Sequence, residues 1–100
     1  MSDVPPITDN QAAARFEYVA GGHLAELAYH RRGDRLVLVH TETPAEFEGR
    51  GIGGALVRAA IDRARRDGLT LVPLCPFARA WLERHPDAAS GVPIDFGRSG

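Results

Sequence analysis

Apolar and polar residues alternate from Arg15 to Val19, where Phe16 and Tyr18 flank the charged Glu17, and a period of two predicts a strand. Gly21-Gly22 marks a turn. Over His23–Arg31, Ala25, Leu27 and Tyr29 share one face while Glu26 and His30 take the other, which predicts a second strand. Arg32-Gly33-Asp34-Arg35 carries the Gly-first dipeptide of a type II′ hairpin. Leu36-Val37-Leu38-Val39 is apolar on both faces, as a central strand is. The three strands make an antiparallel meander, ended by Pro44, which has no N–H for a ladder.

The period then lengthens. From Gly51 to Asp67, Ile52, Leu56, Ala59, Ala60 and Ala64 recur at helical spacing and predict a buried stripe. Arg58, Asp62, Arg65 and Arg66 fall on the solvent side, with Asp62 and Arg66 spaced for an i,i+4 pair worth about 0.3 kcal/mol. Gly68 stands where a helix-ending glycine belongs. Leu69–Leu74 reads as a short buried strand parallel to the previous one, so residues 36–74 form a β-loop-α-β crossover. A second helix runs from Pro76 to about His85, with Phe77, Trp81 and Leu82 apolar, and Pro86 stops it. Residues 1–12, with Pro5-Pro6 and no period, read as a flexible lead-in, and residues 90–100, rich in Gly and Ser, as a flexible tail. Residues 13–89 are thus one domain of α/β (α+β) class: an antiparallel β-meander, a β-α-β crossover and a C-terminal helix.

Composition narrows the function. A net charge of −1 with no dense cationic run argues against a general nucleic-acid or anionic-membrane binder. No apolar run approaches a membrane span, and Met1–Asn10 lacks the blocks of a signal peptide. A lone cysteine excludes an internal disulfide and suits a reducing compartment, so the expected address is the cytoplasm. His23, His30 and His85 show no metal-ligand spacing with one another or with Cys75, so no metal is expected.

The chemistry centres on Glu48-Gly49-Arg50-Gly51-Ile52-Gly53-Gly54, between the extended segment and the long helix. Such a loop leaves backbone N–H groups bare at a helix N-terminus and lets a phosphate come close. A Walker A loop needs Lys and Ser or Thr after its last glycine, and here Ala55-Leu56 follows Gly54. Gly49-x-Gly51-x-x-Gly54 fits the dinucleotide fingerprint literally. A Rossmann loop, however, follows its strand at once, whereas Thr43–Glu48 intervenes, and Asp67 falls at the helix end.

The remaining pattern is Gln/Arg-x-x-Gly-x-Gly/Ala between a central strand and a helix. On it, and on Thr41-Glu42-Thr43-Pro44, Leu74-Cys75-Pro76-Phe77 and Arg84-His85-Pro86, residues 14–87 resemble the GNAT superfamily of N-acetyltransferases, in its small single-domain branch. The resemblance implies a minimal GNAT fold and acetyl-CoA as cofactor. Its pyrophosphate would lie over Glu48, Gly49, Arg50, Gly51, Ile52, Gly53 and Gly54, and its pantetheine along Thr41–Thr43. Glu48 departs from the motif, since a carboxylate cannot attract pyrophosphate, and Arg50 or backbone N–H groups would supply that contact. Sliding the register by two gives Arg50-x-x-Gly53-x-Ala55; the first register starts the helix where the family does.

The thioester would then lie between strands 36–42 and 69–74, where Cys75 converges with His40, which lies on the face of Leu36 and Leu38. Two routes stay open: direct attack of an amine on the thioester, or acetyl transfer to Cys75 first, with His40 lowering the thiol pKa. Cys75 as a packed core residue is the third possibility. Glu42 is an alternative base or an amine-binding carboxylate. Where many members place a tyrosine on the last helix, this chain has Trp81. With little before Phe16 to build an acceptor site, the groove should be shallow, suiting a protein or peptide lysine, or no acceptor. The functional readings are an acetyl-CoA-dependent N-acetyltransferase, a CoA-binding module with weak or no transferase activity, and a nucleotide-binding regulatory domain.

Overall fold

The computed structural model describes residues 5–97. Five strands, β1 (Thr8–Asn10), β2 (Arg15–Ala20), β3 (His23–Arg32), β4 (Arg35–Glu42) and β5 (Thr70–Pro73), form one sheet in chain order. The first four are antiparallel and β5 runs parallel to β4. Helix α1 (Ile52–Asp67) connects β4 to β5, and α2 (Pro76–Arg84) follows. Both helices cover the same sheet face, the one carrying Phe16, Leu27, Tyr29, Leu36, Leu38 and Leu71, all buried. The other face is open and bears Arg15, Glu17, Glu26 and Glu42 on neighbouring strands. Phe47, in a single 3-10 turn (Ala45–Phe47) after Pro44, closes the core beside Tyr18.

The meander forms because its turn chemistry agrees with its alternation. Gly33 takes φ 59° at the first position of the two-residue β3–β4 turn, as a II′ turn requires. Helix α1 buries more than the predicted stripe: Ala55, Val57 and Ile61 join Ile52, Leu56, Ala60 and Ala64, because α2 covers a second flank, while Ala59 is half-buried. Gly68 ends α1 in the left-handed region at φ 67°, and the Leu69 N–H reaches the Ala64 carbonyl at 2.8 Å. The expected Asp62–Arg66 pair gives way to Asp62–Arg65 at 3.4 Å, since Arg66 turns to Asp67 at 3.1 Å.

Two segments differ from their reading as loose ends. Within residues 1–12, Thr8–Asn10 pairs with β2. The connecting turn contains no glycine: Ala14 itself adopts φ 55°, and the Asn10 side chain accepts from the Ala13 N–H at 3.1 Å. Within residues 90–100, Ile94 bridges Leu71 in parallel, with the Leu71 N–H donating to Pro93 O at 2.9 Å and the Asp95 N–H to Leu71 O at 2.8 Å. The rest of each reading, residues 1–4 and 98–100, lies outside the described residues.

What ties β1 down is charge. Arg63, on the inner flank of α1 with only 7% of its side chain exposed, bonds Asp9 at 2.6 Å and Asp67 at 2.7 Å. The Tyr29 hydroxyl donates to Asp9 at 2.5 Å. Burial opposes the Arg63 charge, but hydrogen bonds to Asp67, Tyr29 and Asp9 outweigh it, so its pKa is raised. Burial, reinforced by Asp9, likewise raises the pKa of Tyr29.

Removing one partner of this network strands the others. Asp9→Ala and Arg63→Met are each expected to destabilise the fold by about 2 kcal/mol and to couple by about 1 kcal/mol in a double-mutant cycle, read by urea unfolding. Arg66 first, then Arg63, holds the Asp67 carboxyl below its ordinary 3.8. Its depressed pKa contributes stability that is present above pH 3.8 and is lost as pH falls through the folded value. Acid unfolding of Asp67→Asn should therefore show a shallower pH dependence than wild type below that point.

Candidate functional site

An irregularity in β4 decides which side chains meet. Tyr29 pairs with Leu38 but Ala28 pairs with His40, so Val39 is an extra residue in β4. Such a bulge reverses the alternation beyond it. Leu36 and Leu38 face the helices, and past the bulge that face passes to Thr41, opposite Leu27. His40 and Glu42 turn to the open face, 63% and 68% exposed, with His40 Nε2 3.7 Å from Glu42 Oε1. The expected convergence of His40 with Cys75 is thus corrected: strict alternation from Leu36 carries no sign of the extra residue.

Beyond the bulge the sheet also opens. β5 stays with β4 only from Arg35–Thr70 to Leu38–Pro73, while β4 continues to Glu42. The Leu38 carbonyl accepts from both the Leu74 and the Cys75 N–H at 2.9 Å, which turns the chain into α2. A wedge results, in which β4 past Leu38 has no β5 partner. At its apex Thr41 Oγ1 lies 2.9 Å from Cys75 Sγ. Cys75 is buried, and as N-cap of α2 it places its sulfur near that helix's positive end.

The glycine-rich loop enters α1 beside this wedge. Gly49 and Gly51 adopt φ 78° and 72°, which L side chains resist, and this double reversal aims the chain into the helix. Gly51 caps α1 without any side-chain bond, and the first turn holds no acidic residue, so the leading N–H groups are available to an anion. Ile52 contributes only backbone here, since its side chain is in the core. Glu48 and Thr43 are exposed. Arg50 leans on Phe47, 5.9 Å from the ring centre, and lines a 390 Å³ cavity together with Gly51, Gly54, Arg58, Trp81 and His85. Glu48 is not part of that lining.

Gly53 and Gly54 serve another purpose. A Cβ on Gly53 would come within 2.7 Å of the Phe77 ring, and one on Gly54 within 2.8 Å of Trp81 Nε1. These two glycines admit α2 against α1, and Trp81, pressed on Gly54, becomes a wall of the cavity. Trp81 in turn stacks on His85 at 4.0 Å and carries the Arg58 guanidinium 4.9 Å above its ring. His85 Nδ1 donates to the Trp81 carbonyl at 2.9 Å, which fixes its ring. Arg58 and His85 were not among the residues expected here. Their signal was periodic: Gly51, Gly54 and Arg58 fall on one helical face, and Trp81 and His85 are one turn apart.

No helix among the described residues is long and apolar enough to cross a membrane. Residues 15–91 match a family model described as GCN5-related N-acetyl-transferase. A GCN5-like protein from Staphylococcus aureus, solved by NMR in solution, is similar in fold, with a TM-score of 0.68 over 98% of this chain and 97% of that one, at 24% identity. No curated protein matches the chain.

Alanine normally favours a helix over glycine by up to about 1 kcal/mol, yet overpacking costs about 1–3 kcal/mol. Gly54→Ala should therefore lower stability and shift the emission of the lone tryptophan. Gly53→Ala should be milder, because the half-exposed Phe77 ring can yield; urea titration followed by fluorescence measures both.

Proposed function

Because the chain belongs to the GCN5-related N-acetyltransferase family, we propose that it transfers the acetyl group of acetyl-CoA to a primary amine by direct attack. The observation that carries this reading is that the uncapped start of α1 meets the start of α2, Gly53 against Phe77, two residues past Cys75 at the β4–β5 wedge. One elongated ligand, with a diphosphate at one end and an amide-bearing thioester arm at the other, matches both. The diphosphate takes the N–H groups of Gly51–Gly54 and the Arg50 guanidinium, with Gly49 bending the loop. The pantetheine amides pair with β4 backbone between Val39 and Thr43, and the thioester reaches the apex at Thr41 and Cys75.

The acceptor in this reading comes from the open face of the sheet, where His40 and Glu42 stand together. Glu42 attracts the ammonium group and His40 takes one proton from it. The amine nitrogen then attacks the thioester carbonyl carbon and the C–S bond breaks. The CoA thiolate leaves, taking up the proton released by the nitrogen. Both helices cover the opposite face and His40 and Glu42 are exposed, so an exposed protein or peptide lysine fits better than a small enclosed amine. The single free thiol suits a reducing, cytoplasmic setting.

Direct attack is favoured over a covalent route because Cys75 bonds the Thr41 hydroxyl while His40 faces the other way. A second reading, CoA binding without transfer, draws on the lack of a tyrosine in α2, whose aromatic residues are Phe77 and Trp81.

The test combines binding and turnover. Wild type should bind CoA and acetyl-CoA about tenfold or more tighter than ATP by calorimetry. It should also release CoA thiol when given a lysine peptide. His40→Ala should lower kcat by about 10²-fold with the KM for acetyl-CoA unchanged. Binding with no release in wild type would leave the module reading. Intact mass separates the routes cleanly, because all 12 cationic Lys/Arg positions are arginine. Direct transfer predicts no acetyl adduct after desalting, whereas an adduct lost in Cys75→Ala would overturn direct attack.

A further inference from the structure

The cavity beside α1 holds more positive charge than a diphosphate needs. Five arginines, Arg15, Arg35, Arg63, Arg65 and Arg66, are paired with carboxylates. Arg50 and Arg58 have no carboxylate partner among the described residues, and both line the same cavity, whose lining includes no acidic side chain. The helix start and Arg50 already account for one anionic group. Arg58 stands seven residues beyond Gly51, about 10 Å along the axis, where the pull of the helix end has faded.

Arg58 is also held in place. Its guanidinium rests 4.9 Å above the Trp81 ring, and Trp81 is fixed by the Gly54 contact on α1 and the His85 stack. With Nδ1 donating to the Trp81 carbonyl, Nε2 of that His85 tautomer is an acceptor, suited to a ribose hydroxyl next to the phosphate that Arg58 meets. A stacked guanidinium loses little freedom when it binds, and its planar fork matches two oxygens of a phosphate. The arrangement therefore suits a second phosphate on the same ligand, one ribose away from the diphosphate.

We infer that Arg58, seated on Trp81 beside His85, reads the 3′-phosphate of CoA and so selects CoA over nucleotides that carry only a 5′-diphosphate. This inference rests on the CoA reading and sharpens it. Arg58 is a specificity residue, remote from the thioester, and acts on affinity alone.

Calorimetry with CoA and 3′-dephospho-CoA, on wild type and Arg58→Gln, tests it. Wild type should favour CoA by about tenfold, and Arg58→Gln should abolish that preference while leaving the dephospho-CoA Kd within about twofold. Arg50→Gln should weaken both ligands alike. Equal affinity of wild type for both ligands, or an equal loss of both in Arg58→Gln, would overturn the role of Arg58 while leaving CoA binding intact. Failure of wild type to bind either ligand would overturn the CoA reading itself. Circular dichroism of Arg58→Gln, an exposed position, confirms that its fold is retained.

Discussion

One extra residue at Val39 governs the functional end of this domain. Without it, β4 would keep His40 over the helices and send Thr41 outward. With it, a threonine hydroxyl meets the buried cysteine, and the imidazole and carboxylate of His40 and Glu42 gather on the far side. The same region is where β5 leaves β4, with the Leu38 carbonyl accepting two N–H groups at the parting point. The bulge and the parting together produce a slot with different chemistry on its two faces. A sheet in perfect register would have neither the slot nor the division of labour.

The helices depend on a second constraint, the split use of four glycines. Gly49 and Gly51 are required by backbone conformation, and Gly53 and Gly54 by the proximity of α2. Enlarging either of the latter would push away Phe77 or Trp81, and Trp81 supports Arg58 and His85. The conformation of this loop and the packing of the two helices are therefore not separable properties. The residues that make α2 dock are the residues that shape the cavity.

Much of this was legible in the chain. Period-two alternation with Gly33-Asp34 located β2, β3 and β4, and 3.6-residue spacing with Gly68 located α1, because local propensity and tertiary packing agree there. The β1 strand was hidden because its turn relies on Ala14 and an Asn10 side chain instead of glycine, and because its anchor, Asp9 to Arg63, spans 54 positions. The bulge was hidden because Val39 is as apolar as its neighbours, so hydropathy runs through it unbroken. Arg58 faces solvent as its position on the helix implies, but a single helix gives no sign that Trp81 packs alongside it. Which of the candidate residues on β4 share a face with Cys75 depended on a single inserted position.

The edges of the sheet bear on how the molecule behaves among its own copies. On one side it ends in the three-residue β1, and on the other β5 is overlaid by the bridge through Ile94. Among the described residues neither presents the long, flat row of open N–H and C=O groups along which sheets of separate molecules join. The stretch of β4 that β5 abandons is different, because it lies inside the sheet with strands on either side of its base. The backbone groups free for β-pairing on β4 thus sit at the parting of two strands within the sheet, not along an outer edge.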